Sequence, residues 1–188
     1  GATIRNGKIR AEINLIGKIA FYNQKGELLL DDYVRNRKDM FGNTCSSLEV
    51  EAREFKPITG GDYRLTMRFV STPEEKIYGM GQYQQPYLDV KGADLELAHR
   101  NSQVSVPFML SSLGYGFLWN NPAVGRVNFG KNITTWEAFS SKKLDYWITA
   151  GDTPAEIEEA YANATGKVPM MPEYAMGFWQ CKLRYQTQ

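Results

Sequence analysis

The stretch that most constrains the fold is a pair of apolar segments, residues 104–111 and 115–119, separated by a three-residue turn. Both segments are rich in the β-branched and aromatic residues that favour strands. Gly114, in the turn, can adopt a positive φ without steric cost. Each segment is too apolar to face water on both sides, so together they predict a β-hairpin inside a core. Pro107 lacks a backbone N–H and is therefore expected on an unpaired side or at a bulge.

Period-two alternation of apolar and polar residues predicts further strands on both sides of this hairpin. Alternation is found over residues 9–15, 18–22, 48–55 and 63–69, and further strands are predicted over residues 27–30, 126–129, 134–139 and 144–149. Short strands at this spacing, joined by polar turns, predict an antiparallel β-sandwich.

One helix is predicted near the end of the chain. Thr153 and Glu156 have the spacing of a capping box, with proline at the first helical position. Apolar residues then recur at helical spacing, and the helix is expected to end at Gly166.

Residues 83–103 show neither helical nor strand periodicity and are predicted to form a long polar connection. Loops of this length without secondary structure are uncommon in compact domains and often functional.

Composition excludes several classes of function. The 188 residues carry a formal net charge of +1, which argues against a nucleic-acid partner. No apolar run approaches the roughly 18 residues of a membrane span. Two cysteines without metal-ligand spacing and a single histidine, His99, offer little for a zinc site or a catalytic triad. We therefore expect no metal, no cofactor and no membrane partner, and the sequence assigns no cellular compartment.

Five motifs occur in a fixed order: residues 78–82, the hairpin with Asn120-Asn121-Pro122, and residues 144–154, 165–169 and 171–185. Together they resemble the N-terminal part of glycoside hydrolase family 31, the α-glucosidase and α-xylosidase family. The resemblance is strong over residues 75–188, whereas residues 1–74 resemble the family only in their pattern of predicted strands.

The resemblance implies a mainly β fold, a galactose-mutarotase-like antiparallel β-sandwich with one C-terminal helix over residues 1–166. Residues 167–188 are expected to be a linker and the start of a catalytic (β/α)₈ barrel, with residues 177–182 as its first strand. Such a barrel takes about 250 residues, and the family's nucleophile and acid/base aspartates lie on later barrel strands. No catalytic residue is therefore expected in this chain, which should be inactive alone.

The resemblance also redirects the interpretation of the acids between residues 83 and 103. Retaining glycosidases need two carboxyl groups about 5–5.5 Å apart, and Asp89, Asp94 and Glu96 are candidates by type. The family places its catalytic pair elsewhere, but its sandwich sends a loop over the barrel mouth. We therefore predict Asp94, which follows Gly92-Ala93, as an acceptor for substrate hydroxyls, with Asp89 second. Gln180, near the end of the expected barrel strand, is a third predicted substrate contact.

Two functions stay open at this point. One is the N-terminal domain of a retaining α-glycosidase that hydrolyses terminal α-linked glucosyl or xylosyl residues and takes an oligosaccharide or glycoside as its partner. The other is a free-standing carbohydrate-binding β-sandwich without chemistry. An apolar strand after a proline-rich linker, predicted over residues 174–181, favours the first. Trp119, Trp136 and Trp179 are expected to be buried, His99 is expected to pack or hydrogen-bond beside Arg100, and a homo-oligomer is left open.

Overall fold

The computed structural model describes residues 1–35, 40–43, 45, 49–180, 184 and 186–187. These residues form thirteen strands, one α-helix and one short 3₁₀ helix. The strands are β1 (Ala2–Asn6), β2 (Ile9–Ile13), β3 (Ile19–Tyr22), β4 (Leu28–Asp31), β5 (Arg53–Pro57), β6 (Tyr63–Val70), β7 (Ile77–Gln82), β8 (Asp94–Leu97), β9 (Val104–Ser111), β10 (Tyr115–Leu118), β11 (Gly125–Phe129), β12 (Ile133–Ser141) and β13 (Trp147–Ala150). The helix α1 spans Pro154–Thr165, and the 3₁₀ helix spans Glu173–Met176.

The strands form three antiparallel sheets. Their orders are β1-β2-β3-β4, β13-β10-β9-β7 and β5-β6-β12-β11-β8. The last two sheets share one core, in which Phe117 of β10 lies 5.4 Å from Phe69 and 5.1 Å from Trp136 between ring centroids. Phe21 of the N-terminal sheet belongs to the same buried cluster. The predicted antiparallel, mainly β architecture with one helix is therefore confirmed.

The central hairpin is present as predicted. Strands β9 and β10 pair from Ser111↔Tyr115 to Phe108↔Leu118, and Gly114 in the turn has a φ of +88°. Pro107 has no Cα partner in the register with either β10 or β7, which agrees with its missing N–H.

The predicted helix is also confirmed. The Thr153 side chain accepts a hydrogen bond from the Glu156 backbone N–H, and Gly166 is the C-terminal cap. Ile157 is the buried contact of α1 with the sandwich. A Cβ at Gly116 would lie 2.6 Å from Ile157 Cγ2, so a glycine on β10 allows the helix to pack closely. Tyr161 stacks on Phe108 with ring centroids 4.0 Å apart.

The prediction that residues 83–103 form one long loop is wrong in part, because strand β8 lies within this range. Leu95 and Leu97 are buried while Asp94 and Glu96 are exposed, and β8 pairs with β11. The alternation covers only four residues, too few to stand out in a polar stretch. Residues 83–93 and 98–103 remain outside named strands, although Arg100 and Gln103 form an isolated β-bridge.

The predicted apolar strand over residues 174–181 is absent from its described part, which ends at Gln180. A 3₁₀ helix occupies Glu173–Met176, and residues 177–180 pair with no strand. A strand needs a neighbour for its backbone N–H and C=O groups, and the described residues provide none there. Trp119 and Trp136 are buried as predicted, at 1% exposure each, whereas the predicted burial of Trp179 is wrong, since it is 77% exposed.

Candidate functional site

Asp94, the first predicted substrate contact, lies on β8 at the edge of the five-stranded sheet. Both of its carboxylate oxygens accept hydrogen bonds from Arg126 on β11, and Asn128 Nδ2 lies 3.3 Å from Oδ2. The hydrogen bond from Arg126 lowers the pKa of Asp94 below its ordinary value. The carboxylate is exposed, so it can reach other molecules, but Arg126 already occupies both oxygens. Contact of Asp94 with substrate stays a prediction.

Asp89, the second predicted contact, stabilises the backbone of a turn. Its Oδ1 accepts hydrogen bonds from the backbone N–H groups of Ile77 and Lys91, each at 3.0 Å. The neighbouring Val90 N–H donates to the Ile77 carbonyl oxygen at 2.8 Å. These bonds fold the segment after β7 back along that strand. They show a structural use of Asp89, and its predicted contact with substrate stays untested.

Gln180, the third predicted contact, is exposed in a segment without regular structure. Just before it, Trp179 Nε1 donates a hydrogen bond to the Ala175 carbonyl oxygen at 2.7 Å. No hydrogen bond between described residues joins any two of Asp89, Asp94 and Gln180. Contact of Gln180 with substrate, like that of Asp89 and Asp94, stays a prediction.

His99 lies in a cleft of about 390 Å³ between the turn after β8 and the connection from β10 to β11. Its Nδ1 accepts a hydrogen bond from the Ser105 backbone N–H at 3.3 Å, which confirms the expected hydrogen-bonding role. Arg100 beside it forms an ion pair with Glu96, and the hydrogen bond from Arg100 lowers the pKa of Glu96. The polar groups of this stretch are thus largely engaged with one another.

A buried ionic cluster around Glu75 was not predicted from the sequence. Glu75 is 4% exposed, and its Oε1 accepts hydrogen bonds from Ser111 Oγ at 2.5 Å and from the Tyr115 hydroxyl at 2.7 Å. Its Oε2 accepts from Lys91 Nζ at 3.0 Å, and Lys91 Nζ also donates to Ser71 Oγ at 2.6 Å. Burial, reinforced by the Glu75 charge, raises the pKa of Tyr115 well above its ordinary value. The cluster joins the turn of the hairpin to the turn at residues 89–91.

A groove beside β7 was also missed by the sequence analysis. It has a volume of about 470 Å³ and lies between β7 and the segment that folds back along it. We call it the tyrosine groove after three of its lining residues. The side chains used below are Tyr78, Gln82, Tyr83, Gln85, Tyr87 and Leu88. The signal that could have revealed it is the density of tyrosine and glutamine between residues 78 and 87, within the glycine-rich strand β7 and directly after it.

Three consecutive residues of β7 have positive φ: Gly79 at +95°, Met80 at +71° and Gly81 at +92°. A Cβ at Gly81 would lie 2.3 Å from the Val104 carbonyl oxygen of β9, and one at Gly79 would lie 2.8 Å from the Phe108 oxygen. Met80 is fully buried and adopts a φ that is uncommon for a side chain of its size. Such backbone strain is of the order of 1–3 kcal/mol and is enriched at functional sites.

Other classes of site find no support within the described ranges. The residues that the structure describes contain no group of three or more His, Cys, Asp or Glu side chains placed to hold a metal ion. In the same part of the chain, no helix combines the length and the apolar character needed to cross a membrane.

No protein-family model matches the chain. An uncharacterised family 31 glucosidase of Pseudescherichia vulneris is 56% identical over 194 residues, covering 99% of this chain and 37% of the relative. A crystal structure of a family 31 α-xylosidase from a soil metagenome, complexed with xylose, is 60% identical with a TM-score of 0.91 and covers 98% of this chain. The chain belongs to glycoside hydrolase family 31.

The similarity to family 31 extends further than the sequence motifs suggested. Because the P. vulneris relative aligns with 99% of the chain, the prediction that only residues 75–188 match well is wrong. An α-xylosidase of Saccharolobus solfataricus, at 34% identity over 136 residues, covers 67% of this chain and 18% of that relative. This family 31 chain spans 37% of the P. vulneris relative and 28% of the metagenome enzyme. It aligns with the N-terminal region of these proteins.

Proposed function

We propose that the chain is the N-terminal domain of a retaining α-glycosidase that hydrolyses terminal α-linked xylosyl or glucosyl residues. The observation that carries the proposal is the similarity to the metagenome α-xylosidase complexed with xylose, at 60% identity and a TM-score of 0.91 over 98% of the chain. Relatives named as xylosidase and as glucosidase both match, so the proposal includes both sugars. Glycosides and oligosaccharides are the proposed substrates.

Within this proposal, residues 1–166 form the sandwich domain and residues 167–188 lead into a catalytic barrel. The surface of the second segment supports this division. Val168, Met170 and Phe178 are 90%, 95% and 92% exposed, and Trp179 is 77% exposed. Apolar side chains grouped on a surface mark contacts with other polypeptide. We propose that the barrel covers them and that residues 177–182 become a strand once they have a partner.

The catalytic carboxyl groups are proposed to lie outside this chain. Retaining hydrolysis needs one carboxylate free to attack and one carboxylic acid free to protonate the leaving group. Asp89 holds two backbone N–H groups, Asp94 pairs with Arg126, and Glu96 pairs with Arg100. These engagements argue against a catalytic role for the acids of residues 83–103. We propose instead that this stretch assists substrate binding, with Asp94 as the hydroxyl acceptor and Asp89 second, and that Gln180 is a further contact.

Activity measurements on two proteins test the proposal. The purified chain and the complete enzyme, whose reading frame is expected to continue beyond Gln188 into the barrel, are each incubated with aryl α-xyloside and aryl α-glucoside. We expect aryl alcohol release from the complete enzyme and none above buffer from the chain. Turnover by the chain that disappears on mutation of Asp94 or Glu96 would place catalysis in the sandwich. A complete enzyme inactive on both substrates would refute the proposed reaction.

A further inference from the structure

We propose that the tyrosine groove binds a neutral pyranose ring, with the ring of Tyr87 as its stacking platform and the amides of Gln82 and Gln85 as hydrogen-bonding partners. This inference goes beyond the proposed function, because it depends only on the surface between Tyr78 and Val90 and requires no hydrolysis.

The charge of the lining selects the class of ligand. None of the described side chains that line the groove is charged at neutral pH, since they are tyrosine, glutamine, leucine, valine and glycine. A phosphate or carboxylate ligand needs a positive partner, and the lining provides none. Amide and phenol groups instead match ligands that carry both donors and acceptors without net charge, as sugar hydroxyls do.

The shape and the aromatic content fit a sugar ring. Ligand sites typically measure 300–1,000 Å³ and combine apolar faces with a few polar groups, and this groove measures about 470 Å³. Tyr87 is 52% exposed, so part of its ring is open to a ligand, and Leu88 next to it is 85% exposed. The C–H face of a pyranose can cover such apolar surface while its hydroxyls reach the groove's polar groups.

The tyrosine and glutamine side chains proposed to contact the sugar make no side-chain hydrogen bonds with other described residues. Among the described residues, none forms a side-chain hydrogen bond with Tyr78, Gln82, Gln85 or Tyr87, although Tyr83 next to them is held firmly. The Tyr83 hydroxyl donates to the Glu96 carbonyl oxygen at 2.7 Å and lies 2.9 Å from Ser105 Oγ. One tyrosine thus shapes the groove, while the two other tyrosines and both amides keep their hydrogen-bonding capacity for a ligand.

The groove is anchored on both sides, which lowers the entropy lost on binding. On one side, the close approach of β7 to β9 depends on Gly79 and Gly81, whose positive φ values are rare for residues other than glycine. On the other side, Asp89 and Val90 hydrogen-bond to Ile77, and Lys91 is tied to Glu75. A strained but well-anchored backbone next to unused polar groups is the combination expected at a preorganised site.

Nuclear magnetic resonance titration of the ¹⁵N-labelled chain with methyl α-xyloside and with methyl α-glucoside tests the inference. We expect saturable shifts of the Gly79 and Gly81 backbone amides and of the Gln82 and Gln85 side-chain amides. The dissociation constant should be on the order of millimolar, as for a monosaccharide-sized ligand of ordinary efficiency. Absence of saturable shifts at these four groups with both sugars would overturn the inference.

Variants of the platform then separate stacking from unspecific effects. Tyr87→Ala should raise the dissociation constant by about two- to twelvefold, the range for loss of one aromatic contact, while Tyr87→Phe should stay within about twofold of the wild type. Gln85→Ala provides a second variant in case Tyr87→Ala does not fold. Tyr174→Ala is the matched control, because Tyr174 is 85% exposed and lies outside the groove. Unchanged affinity in both Tyr87→Ala and Gln85→Ala, or equal weakening in the control, would refute the assignment.

Discussion

Replacing Glu75 by leucine removes the acceptor at the centre of the buried ionic cluster. Glu75 is 4% exposed and receives hydrogen bonds from Ser111, Tyr115 and Lys91. After the change, the Lys91 ammonium group, whose side chain is 10% exposed, keeps only Ser71 as a partner. The substitution therefore leaves one buried charge uncompensated and removes the shared acceptor of the Ser111 and Tyr115 hydroxyl groups, which remain in contact with each other.

The size of the effect follows from these losses. Removing one partner of a buried ion pair typically destabilises a protein by about 3–5 kcal/mol. For a domain of 150–250 residues, each kcal/mol lowers Tm by about 2–4 °C, so Glu75→Leu should lower Tm by roughly 6–20 °C. Adding Lys91→Met removes the uncompensated charge, and the double variant should then lose only about 1–3 kcal/mol for the one hydroxyl donor left unsatisfied. The two substitutions should therefore be strongly non-additive.

Guanidinium denaturation followed by tryptophan fluorescence measures these differences, since Trp119 and Trp136 are 1% exposed and report on unfolding of the core. Glu74→Leu is the matched control, because this neighbouring glutamate is exposed and exposed substitutions usually change stability by less than about 0.5 kcal/mol. A loss at Glu75 no larger than that at Glu74 would refute the reasoning. So would a double variant less stable than Glu75→Leu alone.

Three further predictions concern single side chains. Thr153→Ala should destabilise the chain by about 1 kcal/mol, because its Oγ1 accepts the Glu156 N–H at 3.3 Å; an unchanged Tm would mean that the cap is dispensable. Burial, aided by the charge of Asp32, raises the pKa of Tyr146 from 10.0 to about 12, so between these values the unfolded phenol loses its proton first and stability falls as pH rises. Tyr146→Phe should therefore remove roughly 2–3 kcal/mol of this alkaline loss, and an equally steep fall in stability measured across that pH range would contradict it. Asp94→Ala should lower kcat/KM of the complete enzyme by about ten- to a hundredfold. Arg126→Ala breaks the same exposed ion pair and should leave Tm nearly unchanged, because surface ion pairs contribute little to stability. Wild-type kinetics in Asp94→Ala would contradict the predicted contact of Asp94 with substrate.

Much of the local structure could be predicted from the sequence because its causes are local. The hairpin follows from two apolar segments and a glycine that can adopt positive φ, and the structure has Gly114 at +88°. The helix follows from the spacing of Thr153 and Glu156 and from the glycine that ends it. Each of these features depends on residues within a few positions of one another, so no tertiary information is needed to find them.

Other features depend on segments that meet only in the folded chain. Strand β8 is defined by pairing with β11, and the Asp94 carboxylate is occupied by an arginine 32 positions later in the chain. Glu75 accepts hydrogen bonds from Ser111 and Tyr115, which lie 36 and 40 positions later in the chain. The tyrosine groove exists because the turn at residues 89–91 hydrogen-bonds to Ile77, so that the segment between β7 and this turn lies back along β7.

The C-terminal segment also depends on tertiary contacts, and here the contact partner is missing from the described residues. Its apolar sequence predicts a buried strand, yet Phe178 and Trp179 are 92% and 77% exposed, and residues 177–180 pair with no strand in the part of the chain that the structure describes. The sequence determines that these residues suit burial, through their apolar side chains. Whether they become a strand is decided by a neighbouring backbone that satisfies their N–H and C=O groups, which residue pattern alone does not supply.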